Sequence, residues 1–246
     1  QNNVIQNPPQ EAFSQLVNLY NQGQMEAVIE QAEALTAQYP GAYVVWNILG
    51  ASRDEIGMPE EAIHALKKSI SLKPDFADAY FNMGVAFKNQ GKLDEAIETY
   101  KKCISFKFNV AEAYNNMGNV LQDQGKLDEA TQAFKKSIFF KPDYADAHYN
   151  MGHALHYQDK LDEAVDAYNK SISLKPDYAK AHYNLSLTLL NNGRLKEGLD
   201  ESEWRWKTCQ FLSMQRHFSR PMWDGIQSLK DKRILLWCEQ GIGDTL

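Results

Sequence analysis

Gly84, Gly118 and Gly152 recur every 34 residues, and so do Ala96, Ala130 and Ala164. The surrounding text recurs with them: ADAYFNMG and GKLDEA, AEAYNNMG and GKLDEA, ADAHYNMG and DKLDEA. A period of this length with small residues at fixed offsets predicts a repeated helix–turn–helix unit. One such unit has too little apolar surface to fold alone, so the units must stack on one another. The chain is therefore expected to be all-α, a solenoid of helix hairpins.

The register shows how the hairpins pack. Tyr43, Ala77, Ala111, Ala145 and Ala179 open successive units. An aromatic residue or His follows three residues later: Trp46, Tyr80, Tyr114, His148, His182. Next comes a long apolar residue with a small one behind it: Leu49–Gly50, Met83–Gly84, Met117–Gly118, Met151–Gly152, Leu185–Ser186. These positions share one stripe of a first helix. A second helix presents Ala62, Ala96, Ala130, Ala164 and Gly198, then Leu66, Tyr100, Phe134, Tyr168 and Ser202. Small residues on both stripes let the axes approach, and the large ones fill the space beside them. Pro74, Pro142 and Pro176 close units. Asp75, Asn109, Asp143 and Asp177 are expected N-caps of the following first helices, and Asn109 with Glu112 has capping-box spacing. The pairs Asp94–Glu95 and Asp128–Glu129 should complement the dipole at the start of second helices.

This register resembles the tetratricopeptide repeat. The resemblance implies a right-handed superhelix with the first helices lining a concave groove, and a protein or peptide as partner. Asn82, Asn116, Asn150 and Asn184 hold one position in four consecutive units. An asparagine amide both donates and accepts, so a row of them suits the backbone of an extended polypeptide whatever its sequence. The row is similar to that in the repeats of O-GlcNAc transferase. The alternative is that these side chains only join neighbouring helices. Other inner-face positions of the family fall here on Asn115, Asn119, Gln122, Asp123, Tyr149, His153, His156, Tyr157 and Tyr183. Such a groove is neutral and aromatic, and it lacks the basic clamp with which some members of the family hold a terminal carboxylate.

The ends depart from the pattern. Residues 1–9 are expected to be a lead-in, and 10–212 a solenoid of six repeats whose first and last are degenerate. Trp204 and Trp206 replace the usual residues of the sixth second helix, as a cap or junction would. Residues 213–232 read as a linker. Residues 233–246 read as the start of a truncated α/β domain, with Arg233–Cys238 as one candidate strand. EWRWK, RPMWDG and RILLWCEQGIGDTL resemble the junction in bacterial repeat proteins that continue into a glycosyltransferase-like domain. That resemblance implies a second reading, the substrate-recognition arm of a glycosyltransferase. Gly241 and Gly243 are then the candidate cofactor-binding positions, where a tight turn lets a phosphate approach a helix N-terminus. The absence of an initial Met and the stop inside this motif suggest a fragment. No catalytic residue is assigned.

Composition narrows the classes further. A net charge of −6 disfavours nonspecific nucleic-acid binding. No apolar run approaches the roughly 20 residues of a membrane span, and QNNVIQNPPQ has no signal-peptide pattern. A cytoplasmic location is expected, with Cys103, Cys209 and Cys238 as reduced thiols. His153 and His156 lie one helical turn apart without a third ligand, so neither a metal nor a cofactor is expected. Phe106, Phe108, Phe139 and Phe140 cluster near the ends of second helices. Most of them are expected in the core between repeats; self-association is the alternative role for Phe139, on the outer side, and for the C-terminal candidate strand.

Overall fold

The computed structural model describes residues 7–107 and 109–208. Among the described residues there are twelve α-helices and no strand. The candidate strand with Gly241 and Gly243, the linker, Phe108, Cys209 and Cys238 lie outside the described residues. The chain divides into two compact units, residues 1–177 and residues 178–246.

The first unit holds five hairpins: α1 (Gln10–Asn21) with α2 (Met25–Gln38), α3 (Tyr43–Glu55) with α4 (Pro59–Leu72), α5 (Ala77–Asn89) with α6 (Leu93–Ser105), α7 (Val110–Asp123) with α8 (Leu127–Phe140), and α9 (Ala145–Tyr157) with α10 (Leu161–Leu174). Each hairpin turns on a residue with positive φ. Gly23, Gly57, Gly91 and Gly125 take φ between +71° and +82° at no steric cost, but the fifth hairpin places Asp159 there at +59°.

The core is the stripe-on-stripe packing that the sequence predicts. A Cβ on Gly84 would sit 2.6 Å from the Tyr100 ring, one on Gly118 2.5 Å from Phe134, and one on Gly152 2.9 Å from Tyr168. The three rings are buried, together with Ala96, Ala130 and Ala164. Each buried ring contributes on the order of 1.5–3 kcal/mol of hydrophobic stabilisation.

The slot for an aromatic residue or His has a polar explanation as well as an apolar one. Trp46 Nε1 donates to the Pro40 carbonyl at 3.0 Å, Tyr80 Oη to Pro74 at 3.1 Å, and His148 Nε2 to Pro142 at 3.0 Å. Trp, Tyr and His are the rings that carry a hydrogen-bond donor, and the slot uses it to satisfy the carbonyl that closes the preceding unit. The acceptor also fixes the His148 tautomer, with the proton on Nε2. A second tie crosses two of the hairpins: Ser69 Oγ donates to the Tyr43 carbonyl at 2.8 Å, and Ser171 Oγ to Ala145 at 2.9 Å. Cys103 holds the matching place in the third repeat, where burial pushes its thiol up to about 12. It is therefore unreactive at neutral pH.

Three expectations need correction. The N-cap residues are Phe76 and Tyr144 rather than Asp75 and Asp143, and Tyr178 rather than Asp177 in the second unit; none makes a side-chain cap. Phe76, Tyr144 and Tyr178 lie one residue beyond the acids, because the chain leaves each Pro through a turn that starts the helix later. Asn109 does hold the N-cap place, but at φ +40° and without a side-chain bond. Its supposed capping-box partner Glu112 instead accepts from Lys141 Nζ at 2.9 Å. Phe106 and Phe140 are exposed rather than buried between repeats, and Phe139 is exposed as expected of the outer side. They sit past the last core stripe, where Phe106 tilts against Tyr80 and Phe140 stacks parallel to Tyr114. The acidic pairs do occupy the first turns of α6 and α8.

The second unit contains α11 (Ala179–Asn191), α12 (Leu195–Ser202) and a short 3-10 helix, Glu203–Lys207. Its hairpin turns on Gly193 at φ +74°. Trp204 lies flat on His182, with centroids 3.8 Å apart and planes within 2°. Glu201 Oε2 sits 2.6 Å from His182 Nδ1, and Lys207 Nζ lies 3.8 Å over the Trp204 ring. The departures from the repeat pattern thus make a local aromatic cluster.

Candidate functional site

Within the first unit, the first helices of neighbouring repeats pack on one another: α3 on α5, α5 on α7, α7 on α9. The second helices meet mainly the first helices that flank them. A stack whose first helices lie closer than its second helices bends with the first helices inside. The inner face of this unit is therefore the exposed side of α3, α5, α7 and α9.

On that face the asparagines divide into classes. Asn82 Nδ2 donates to Asn47 Oδ1 at 3.0 Å, and Asn150 Nδ2 donates to Asn115 Oδ1 at 2.9 Å. Each bond joins first helices of consecutive repeats. It uses one N–H of the donor and one lone pair of the acceptor, and leaves most of each amide's capacity. Asn115 is buried, while Asn82 and Asn150 are half-buried. The residue that would accept from Asn116 in the same way is Phe81, which has no acceptor. Asn116 instead lies beside the Tyr100 hydroxyl, without a hydrogen bond of ordinary geometry. Burial pushes the Tyr100 phenol well above its ordinary value, and Asn116 partly offsets that. Asn119 is half-buried on the same helix.

A ring cluster lies beyond these asparagines. Gln122 Nε2 is 2.9 Å from His153 Nδ1, so the amide donates and the imidazole accepts. His153 meets Tyr157 edge-on at 4.8 Å between centroids and Tyr149 at 6.3 Å; His156 meets Tyr157 at 5.7 Å. Burial, then the neighbouring His156, hold the His153 imidazole below its ordinary range, so it is neutral at pH 7. Tyr157 is 64% exposed and caps the cluster toward solvent. No group of three or more His, Cys, Asp or Glu residues suited to a metal occurs among the described residues. Tyr183 and Asn184 belong to the second unit, where both are half-buried on α11.

Sequence reasoning missed Asn47 as the partner of Asn82, and also the tie from Asn89 Nδ2 to Asp54 Oδ2 at 2.9 Å. The signal was present: Asn47 and Asn82, like Asn115 and Asn150, stand one repeat plus one residue apart. A cavity of about 690 Å³ lies elsewhere, between the second helices α6 and α8.

A stack of helix hairpins closed by glycine against rings, with polar ties between its first helices, defines a helical repeat protein. The family models for the TPR repeat match residues 57–91, 118–159 and 152–193, and that for the tetratricopeptide repeat matches 77–108. Together they cover just over half of the chain, and the protein belongs to the tetratricopeptide repeat family. The peroxisomal targeting signal receptor of Candida albicans is 35% identical over 75 residues, 30% of this chain and 13% of the receptor. That of Saccharomyces cerevisiae is 33% identical over 72 residues, 29% of this chain and 12% of the receptor. The matched segments thus span about an eighth of these relatives. Among solved structures, MamA aligns with a TM-score of 0.60 at 25% identity, covering 67% of this chain and 96% of MamA. YrrB, described as a TPR protein with an unusual peptide-binding site, aligns with a TM-score of 0.58 at 16% identity, covering 72% and 91%. At that identity the likeness concerns the fold. No helix among the described residues is long and apolar enough to cross a membrane.

Proposed function

We propose that this chain is a protein–protein interaction module that binds an extended polypeptide along the inner face of α5, α7 and α9. One observation carries the reading. The face combines half-buried amides that keep hydrogen-bonding capacity, Asn116 and Asn119 foremost, with the Tyr149–His153–Tyr157 rings. Amides pair with peptide backbone regardless of sequence, and rings supply contact area at low entropic cost. The peptide-binding site named for YrrB and the targeting-signal receptors among the relatives agree with a peptide partner.

Asn82 and Asn150 have two roles in this reading, since their inter-helix bonds also hold the face in place. The clean test therefore changes Asn116, Asn119 and Tyr157 to Ala. A peptide selected from a displayed random library against the chain should bind the triple variant at least roughly tenfold more weakly, as loss of central contacts does. Helical content should stay unchanged. Full affinity in the variant would place the site elsewhere.

A second reading rests on the tail sequence. EWRWK, RPMWDG and RILLWCEQGIGDTL support the face delivering an acceptor polypeptide to a glycosyltransferase-like domain that begins near residue 233. In that organisation the repeats run to about residue 212 and 213–232 link the two parts. Its test is transfer of a sugar to the selected peptide by a protein extended beyond Leu246.

A further inference from the structure

The fourth repeat breaks the pattern on its outer side. Near the end of the second helix, repeats two, three and five carry Ser71, Ser105 and Ser173, each bonded back to the carbonyl of Lys68, Lys102 or Lys170 at 2.6–2.7 Å. The fourth repeat carries Phe139, which is 79% exposed and packs edge-on against Phe140, itself 55% exposed. Phe140 stacks on Tyr114, but Phe139 is not needed to close the hairpin, because Phe134 already fills the space behind Gly118. Two adjacent exposed phenylalanines are costly unless something covers them.

The charges of the same helix indicate what does. The cavity between α6 and α8 has an apolar floor that includes Ile97, Met117 and Leu121, and α8 lines it with Asp128, Gln132 and Lys136. These three are spaced by four residues, so they form one stripe along the helix. The stripe reads acid, neutral amide, base. A two-fold axis through Gln132 places Asp128 of one copy against Lys136 of the other, and Lys136 against Asp128. The same operation sets Glu129 against Lys135 and Gln132 against its own copy. Phe139 then lies over the turn at Gly125 and Lys126 of the second molecule, at the end of the cavity. A two-fold interface requires this kind of self-complementarity. The neighbouring helices lack it: α6 has Glu98 and α10 has Asp166 at the central place, so two acids would meet on the axis.

We infer that the outer face of α8 is a self-association surface, on which two copies of this chain pack antiparallel about Gln132 with each Phe139 buried against the other copy. This surface is opposite the inner face and independent of it, so a dimer leaves both polypeptide sites open.

The test is sedimentation velocity of the 246-residue chain from 1 to roughly 100 µM, a range that brackets interfaces of ordinary single-helix strength. A monomer–dimer equilibrium is expected. Phe139→Ser, which restores the residue of repeats two, three and five, should weaken dimerisation at least roughly tenfold, with the thermal midpoint unchanged at a dilution where both proteins are monomeric. Asp128→Lys alone and Lys136→Asp alone should each weaken it, and the double swap should restore it. A monomer at every concentration would overturn the inference. So would a dimer that Phe139→Ser leaves unchanged, or a double swap no better than the single ones.

Discussion

Gly118 shows how closely the repeat is specified residue by residue. Its missing Cβ is the space that the Phe134 ring occupies. Gly118→Ala should force that ring off its position and cost on the order of 1–3 kcal/mol, read as a lower denaturant midpoint at unchanged slope. Asp159 shows the opposite case. It holds a left-handed turn that glycine holds in the neighbouring hairpins. Asp159→Gly should remove steric strain but add unfolded-chain entropy, with a net stabilisation of a few tenths to about 1 kcal/mol in chemical denaturation. The histidines give a pH dependence. Burial holds His148 and His153 below the ordinary imidazole value of 6.5. Between those depressed values and 6.5 the unfolded chain binds more protons, so stability rises with pH there. It should be complete above 6.5 and fall as the pH drops below it. His148→Tyr, the ring of repeats three and four, should keep the bond to Pro142 and remove the His148 share of that loss, as melts at pH 5 and pH 7.5 will show.

Among the elements, the helices and the openers Tyr43, Ala77, Ala145 and Ala179 were legible in the sequence, and the N-caps before them were not. Periodicity locates a helix by its buried stripe, and Ala96, Ala130 and Ala164 mark that stripe without ambiguity. Asp143 has the chemistry of an N-cap, yet Tyr144 takes the place. A one-residue difference in how the chain leaves Pro142 decides between them, and that difference is a matter of dihedral angles rather than residue type. Asp143→Ala should therefore change stability by less than about 0.5 kcal/mol, where loss of a true N-cap costs about 1. Calorimetry distinguishes the two. The asparagines were legible as a row but not as pairs, because an amide that joins helices and an amide that holds a peptide have the same side chain. Asn82 and Asn150 became distinguishable from Asn116 only when Asn47, Asn115 and Phe81 were placed opposite them. The outer cavity left no trace in the sequence, since it arises from the separation of α6 from α8 and not from any motif.

For the molecule as a whole, the first unit offers two faces of different chemistry. The inner face carries amides and rings, and the outer face carries the charge stripe of α8 with Phe139. The central claim is that polypeptide binds the former. A photo-crosslinking residue tests it most directly, placed at Tyr157 on the inner face or at Gln132 on the outer face and illuminated in the presence of the selected peptide. The account predicts a crosslinked peptide from position 157 and none from position 132. Crosslinking from 132 with none from 157 would contradict it.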